Sequence, residues 1–162
     1  MSTSPEAARL RLNQMVVAAR DSMRDYAELN RLISGVETSD RMFKTAILDT
    51  IEDWNVSPPW LTPFTIENPP PWSILRFGVI AYVLDSLVVL QNRNNISFNN
   101  GGISVQISPE RMNAQLAEGY RARYERKRDE YKAAQNIAAA LGPSATATEY
   151  SFINDGFLHG VY

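Results

Sequence analysis

The stretch of sequence that decides the fold is residues 74–90, ILRFGVIAYVLDSLVVL, in which Arg76 and Asp85 are the charged residues. Its apolar side chains point in nearly every direction around a helix, which is typical of a helix buried at the centre of a domain. Seventeen residues with two charges fall short of the roughly 20 apolar residues that a membrane span needs. The segment therefore predicts a central buried helix and no membrane contact.

A first helix is predicted before it, over residues 4–33, with a break allowed near its middle. Ser4, Pro5 and Glu6 supply an N-cap, a proline at the first helical position and an early acid, and Gly35 is expected to end the helix. Apolar residues recur at steps of three and four, which is the period of an amphipathic helix. The other face is predicted to carry Arg9, Arg20, Asp21, Arg24, Asp25 and Glu28.

A second helix is predicted to begin at Thr38 or Ser39, either of which can cap its first turn, and to end before Pro58. Residues 57–71 then contain six of the nine prolines, together with several large apolar side chains. A disordered linker seldom carries so many apolar groups. We therefore expect an ordered, extended loop laid across the helices.

A β-hairpin is predicted at residues 96–107, ISFNNGGISVQI, because apolar and polar residues alternate on both sides of an Asn/Gly turn. Two strands alone are marginal in water. The hairpin must therefore pack on the helices or pair with another chain.

The last predicted helix covers residues 109–141 and is closed by Gly142 and Pro143. At about 1.5 Å per residue it would be near 50 Å long, more than a domain of this size needs internally. Its predicted buried stripe comprises Met112, Leu116, Tyr120, Tyr124, Tyr131, Ala134, Ala138 and Leu141. Its exposed face is predicted to carry Arg121, Arg123, Arg126, Lys127, Arg128 and Lys132 among acids.

Residues 143–162 differ in kind, because a run of small residues precedes a segment rich in aromatic side chains. Two interpretations remain open. The segment folds back on its own domain, or it is an extended arm that becomes ordered on a partner. The organisation predicted overall is a mainly α-helical domain at 1–142, a bundle of about four helices with the hairpin inserted, followed by an extended C-terminal arm at 143–162.

Composition limits the chemistry that this chain can perform. The 162 residues include no cysteine and one histidine, His159, so a thiolate nucleophile, a histidine-based triad and a multi-histidine metal site within one chain are excluded. Candidate carboxylate pairs, Asp49 with Glu52 and Asp53, and Asp129 with Glu130, fall on helices rich in opposing charges, where solvated faces are usual. We predict no enzyme activity, no catalytic or metal-binding residue, and no cofactor.

The order of these parts resembles the head-to-tail adaptor (connector) proteins of tailed bacteriophages. Residues 74–90, 96–107 and 109–141 carry the resemblance, which covers roughly residues 38–141 and is one of layout. It implies a structural virion protein that forms a ring, commonly of about twelve copies, between the portal and the tail or neck, with a channel for DNA. The long N-terminal helix and the Pro-rich loop depart from the smallest members of that family.

The resemblance implies a homo-oligomer in the virion neck at the portal vertex, assembled in the host cytoplasm, with a portal protein and a tail or neck protein as partners and transient, non-specific contact with DNA. The arm residues predicted to bind a partner are Tyr150, Phe152, Ile153, Phe157, Leu158 and Tyr162. The residues predicted at the subunit interface are Phe98, Asn100, Gly101, Ile103, Arg123, Arg126 and Tyr131.

Two other functions remain open on the sequence. Another neck, head-closure or tail-completion protein could share this arrangement of helices and hairpin. A small DNA-associated regulatory protein could instead use the basic cluster at residues 121–132, although the acids within that cluster and the net charge of −2 argue for a salt-bridged surface.

Overall fold

The computed structural model describes residues 5–30, 35–60, 63–94 and 109–141. These ranges contain four helices and no strand, so the predicted mainly helical class is confirmed. The predicted hairpin at 96–107 and the predicted arm at 143–162 lie outside the described residues. The helices are α1 (Pro5–Met23), α2 (Asp40–Val56), α3 (Trp72–Asn94) and α4 (Pro109–Leu141).

Helix α3 is the centre of the bundle, as its sequence predicts. It packs against each of the other three helices, most extensively against α4. Leu75, Val79, Val83 and Leu87 follow one another at four-residue steps, and each is at most 2% exposed. The core of the domain therefore forms around this helix.

The length and composition of Trp72–Arg93 would also allow this segment to cross a membrane. The core helices of soluble proteins have the same properties. In the described fold the segment packs against α1, α2 and α4.

Gly78 is the point where three helices meet. A Cβ atom added at this position would lie 2.5 Å from Thr50 Cγ2 on α2 and 3.1 Å from two ring carbons of Tyr124 on α4. The Thr50 side chain is fully buried, and its hydroxyl donates to the Ala46 carbonyl oxygen at 2.6 Å, which fixes the direction of the methyl group. A residue without a side chain is therefore what lets α2 and α4 approach α3 this closely.

Helix α1 ends at Met23 and residues 24–30 are not helical, so the predicted continuation is wrong over that stretch; residues 31–33 lie outside the described ranges. Arg24 adopts a left-handed backbone conformation with φ 55°, and the Asp25 backbone N–H donates to the Arg20 carbonyl oxygen at 3.4 Å. This pattern is the usual left-handed termination of a helix, here without the glycine that most often occupies that position. Gly35, the residue expected to end α1, lies instead in the connection to α2.

Asp25 holds that connection in place. Its carboxylate accepts hydrogen bonds from the Glu37 backbone N–H at 2.8 Å, the Thr38 backbone N–H at 2.7 Å and the Asn30 amide at 2.8 Å. Arg20 Nη1 donates to the same carboxylate at 3.2 Å. Asp25 is 6% exposed and Arg20 is 14% exposed, so their predicted place on the solvent face of α1 is wrong. The cause is this contact with backbone groups more than ten residues away.

The pKa of Asp25 reflects this environment. Burial alone would raise the pKa of the carboxyl group, but the hydrogen bonds from Glu37, Asn30 and Thr38 and the charge of Arg20 outweigh burial and hold it below its ordinary value of 3.8. The ionised form is therefore the one that stabilises the fold.

The start of α2 confirms the predicted cap. The Ser39 side chain accepts from the Met42 backbone N–H at 3.3 Å. Arg20 of α1 reaches across to the same turn, where it donates to the Thr38 carbonyl oxygen at 2.9 Å and to Asp40 Oδ1 at 2.7 Å. Its guanidinium also lies over the Phe43 ring, 5.0 Å from the centroid.

The Pro-rich loop is attached to the end of α2. The Asn55 side chain pairs with the backbone of Phe64 in both directions, at 2.9 Å and 2.8 Å. The Phe64 ring packs edge-on against Trp54 with a centroid separation of 5.8 Å, and Pro70 is buried. The described part of the loop, residues 57–60 and 63–71, therefore lies against the helices as predicted, although Trp60 is 74% exposed.

Gly78→Ala is expected to lower the free energy of unfolding by about 1–3 kcal/mol, because the new methyl group overpacks a closed site. Urea denaturation followed by circular dichroism measures this change. Thr50→Ser supplies the matched control, since it removes the obstructing methyl group and keeps the hydroxyl. The double variant Gly78→Ala/Thr50→Ser should be more stable than Gly78→Ala. A Gly78→Ala chain as stable as the wild type would disprove the close approach.

Asp25→Asn is expected to cost about 1–3 kcal/mol at neutral pH, because an amide cannot accept from every donor now directed at the carboxylate. Since the folded-state pKa lies below 3.8, the carboxylate's stabilisation is present above that pH and is lost as the pH falls through the folded-state value.

The wild type should therefore lose stability more steeply than Asp25→Asn as the pH is lowered below about 4. Urea denaturation at a series of pH values compares the two slopes. Parallel slopes would show that the carboxylate is not preferentially ionised in the fold.

Candidate assembly surface

Lys132 anchors α4 to the end of α2. Its side chain is 1% exposed, and its ammonium group donates to the Trp54 carbonyl oxygen at 2.5 Å and to the Ser57 carbonyl oxygen. Carbonyl groups at the end of a helix have no partner within the helix, so the lysine supplies the missing donors. Burial, reinforced by the charge of Arg128, lowers the pKa of Lys132.

Asp53 forms the second attachment between α2 and α4. Its Oδ2 lies 2.7 Å from Arg128 Nη1 and 3.0 Å from the Tyr124 hydroxyl, which is also 3.2 Å from the Thr50 carbonyl oxygen. Burial, together with the charge of Asp53, raises the pKa of Tyr124, so the phenol remains protonated. These contacts fix α4 on α2 in one position along its length.

The predicted exposure of Arg128 and Lys132 is wrong. Arg128 is 12% exposed and lies over the Tyr124 ring, 5.3 Å from its centroid. Lys132 is buried and Arg128 is partly buried, because carbonyl or carboxylate oxygens at the end of α2 are within reach of their long side chains. Charge spacing along α4 alone does not show this, since the partners lie about 75 residues away.

The remaining cations of the basic cluster divide into two kinds. Arg121 pairs with Asp85 of α3, and Arg126 lies 4.0 Å from Glu130. Arg123 and Lys127 are exposed and form no ion pair with the described part of the chain. These two charges are therefore unpaired within the described ranges.

One side of α4 faces solvent with apolar and basic residues. Met112, Leu116, Gly119 and Arg123 follow one another at steps of four, three and four residues, which places them on one face of the helix. We call this set the outer stripe. Met112 is 63% exposed and Leu116 is 47% exposed, so their predicted place in the buried face is wrong. Tyr124 is buried as predicted, and Ala117, which the predicted stripe did not include, is buried as well.

Gly119 has no packing role within the described chain. A Cβ atom added there would have no heavy atom within 4 Å, in contrast to Gly78. A glycine inside a helix costs about 1 kcal/mol relative to alanine. The outer stripe therefore contains a point where another backbone can approach closely.

The C-terminal end of α4 extends beyond its contacts with α2. Seven of the eight residues from 133 to 140 are exposed, and Ile137 is 60% exposed. Over these eight residues the helix advances by about 12 Å. The sequence-based expectation that α4 is longer than its own bundle requires agrees with this exposure. The predicted burial of Ala134 and Ala138 is wrong, because both residues are exposed in this stretch.

Helix α2 presents a surface of the opposite sign. Asp49 and Glu52 are exposed and form no ion pair with other described residues. Leu48 and Val56, on the same side of the helix, are 45% and 62% exposed. We call these four residues the acidic face.

Within the described ranges, no three His, Cys, Asp or Glu residues are grouped as metal ligands.

The structure brings few of the predicted interface residues together. Arg123 and Arg126 are exposed on α4, whereas Tyr131 is half-buried against Trp54, with ring centroids 5.8 Å apart. The other predicted contact residues lie outside the described ranges: Phe98, Asn100, Gly101, Ile103, Tyr150, Phe152, Ile153, Phe157, Leu158 and Tyr162.

Gly119 was not singled out from the sequence, and Asp49 and Glu52 were treated only as a candidate carboxylate pair on a solvated face. A glycine well inside a helix, at Gly119 of α4, was a usable signal, because glycine weakens a helix and therefore often has a packing reason. The acidic face gives no signal of this kind, because exposed acids occur on most helices.

Lys132→Met is expected to lower the free energy of unfolding by about 1–3 kcal/mol, because two carbonyl groups at the end of α2 lose their donor in a buried site. Lys127→Met is the matched control on the same helix, and its exposed position predicts a change within about 0.5 kcal/mol. Urea denaturation compares the two. Equal effects would contradict the anchoring role of Lys132.

No protein-family model matches the chain, and neither the curated proteins nor the solved structures contain a match to it. Its function is therefore inferred from its own residues and their geometry.

Proposed function

We propose that this chain is a structural virion protein, a head-to-tail adaptor that forms a ring between the portal and the tail or neck of a tailed bacteriophage. It has no active site in this proposal. Its work is mechanical, because it joins two larger assemblies and leaves a central channel through which DNA passes.

The observation that carries the proposal is the surface that α4 leaves uncovered. The outer stripe exposes two large apolar side chains and a helical glycine, and the end of the helix extends past its attachment to α2. Such features are typical of surfaces that are covered in an assembly. A ring subunit needs surfaces of this kind for its neighbours.

The distribution of charge suits a channel protein. The net charge is −2, and acids of α2, α3 or α4 pair with Arg121, Arg126 and Arg128. Tight binding to duplex DNA requires many unpaired cations directed at phosphates. A ring with few such cations would let DNA move through it without holding it.

Another neck, head-closure or tail-completion protein is the nearest alternative. The same uncovered surface on α4 supports it, since such a protein would also need surface for contacts with neighbouring chains. The identity of the contacting partner, the portal or a tail protein, distinguishes these possibilities.

A DNA-associated regulatory protein is the more distant alternative, and the unpaired Arg123 and Lys127 are what favours it. Fluorescence anisotropy with a labelled DNA duplex tests it directly. We expect no saturable binding at about 150 mM salt, whereas a regulatory protein that grips phosphates would bind and would weaken steeply as salt increases.

Native mass spectrometry of the full chain, alone and with the portal protein of the same genome, tests the proposal. A closed ring of defined copy number is expected, either free or on the portal. A chain that remains monomeric under both conditions would contradict it.

Deleting residues 150–162 is expected to leave the helical content and the unfolding midpoint unchanged, while abolishing co-purification with the portal protein. The reason is that the proposed arm binds the partner and contributes nothing to the bundle. Circular dichroism and affinity capture measure the two effects.

The matched variants change the arm without shortening it. Serine in place of Phe152, Phe157 and Tyr162 should abolish capture, whereas serine in place of Asn154, Asp155 and His159 should preserve it. Loss of the helical fold on deletion would show that the segment belongs to the domain and is not an arm.

A further inference from the structure

We propose that the outer stripe of α4 docks on the acidic face of α2 in a second copy of this chain. The inference rests on the proposed ring and identifies which two surfaces of neighbouring subunits meet. The ring alone does not specify them.

Charge complementarity supports this pairing. Arg123 of the outer stripe, with Lys127 one turn further on, forms no ion pair within the described residues, and neither do Asp49 and Glu52 of the acidic face. The surfaces therefore carry unpaired charges of opposite sign. Opposite charges across an interface steer the partners and fix their register.

Apolar side chains accompany the charges on both surfaces. Met112 and Leu116 precede Gly119 on the outer stripe, and Leu48 and Val56 accompany the acids on α2; all four are at least 45% exposed. Apolar residues beside complementary charges give a contact that combines burial with charge pairing. Each surface alone leaves these groups in water.

Gly119 sets how closely the two helices can approach. With no heavy atom near the position of its missing Cβ, its backbone is open to a neighbouring helix. Helices ordinarily pack 8–10 Å apart, depending on the side chains at the contact. A glycine at the crossing point permits the shorter distances, as Gly78 does inside the domain.

The contact joins two different surfaces and is therefore heterologous. A two-fold contact between two outer stripes would gather cations without carboxylates to balance them. A contact from α4 of one copy to α2 of the next repeats in one direction, and it closes into a ring when the rotation between neighbours allows.

Charge reversal in separate chains tests the pairing. Glu52→Lys places cations on both surfaces, and Arg123→Glu places acids on both, so each variant alone should self-associate about tenfold or more weakly than the wild type. An equimolar mixture should assemble again with the two chains in equal numbers. When the two variants alternate in the mixture, one contact pairs the original Arg123 with the original Glu52. The next contact pairs the two substituted positions, whose charges are opposite again. Sedimentation velocity and native mass spectrometry measure assembly and composition.

Two further reversals are the controls. Glu125 on α4 and Arg9 on α1 are exposed, form no ion pair in the described chain and lie off both surfaces. The variants Glu125→Lys and Arg9→Glu should therefore assemble as the wild type does. Gly119→Trp should keep the fold and lose assembly, because it fills the space that the neighbouring helix would occupy.

The outcomes separate the pairing from the proposed function. If the wild type assembles and Glu52→Lys or Arg123→Glu assembles equally well alone, the two surfaces do not meet, although the ring remains. If both variants fail and their mixture also fails, the surfaces contact something other than each other. If the wild type itself never assembles, alone or with the portal protein, the adaptor proposal is overturned.

Discussion

The close approach of α2 and α4 to α3 at Gly78 is the constraint on which the rest of the structure depends. Because Thr50 and Tyr124 meet over this position, the two outer helices share one fixed level along α3. Asp53 with Arg128, and Lys132 with the end of α2, then hold α4 at that level. Once α4 is fixed there, its last turns extend past the bundle and Met112 and Leu116 remain in water.

The sequence predicts those parts of the fold that local chemistry determines. Each of these parts depends on a few neighbouring residues and is found in the structure: the apolar residues on nearly all sides of α3, the Ser39 cap of α2, and the end of α2 before Pro58. The end of α1 was predicted wrongly because it depends on Asp25 reaching backbone groups at residues 37 and 38. Distant partners of this kind leave no periodic pattern in the sequence.

The candidate assembly surface also has features that the sequence predicts and features that depend on distant contacts. Excess length in α4 was predictable from the run of helix formers before Gly142, and the exposure of residues 133–140 agrees with it. The division of its cations was not predictable. Arg128 and Lys132 serve the chain's own packing, while Arg123 and Lys127 remain unpaired within the described residues. The roles of the two helical glycines were not predictable either. Gly78 packs closely against Thr50 and Tyr124, whereas no heavy atom of the described chain lies within 4 Å of a Cβ added at Gly119.

In the proposed assembly, a neighbouring copy covers the surface of α4 that one copy leaves in water. Hydrogen–deuterium exchange of the α4 backbone, compared between dilute monomer and the assembled form, measures this directly. We expect amides in residues 112–123 to exchange markedly more slowly after assembly, while amides of α3 are protected equally in both states. Unchanged exchange along the outer stripe in an assembled sample would contradict this expectation.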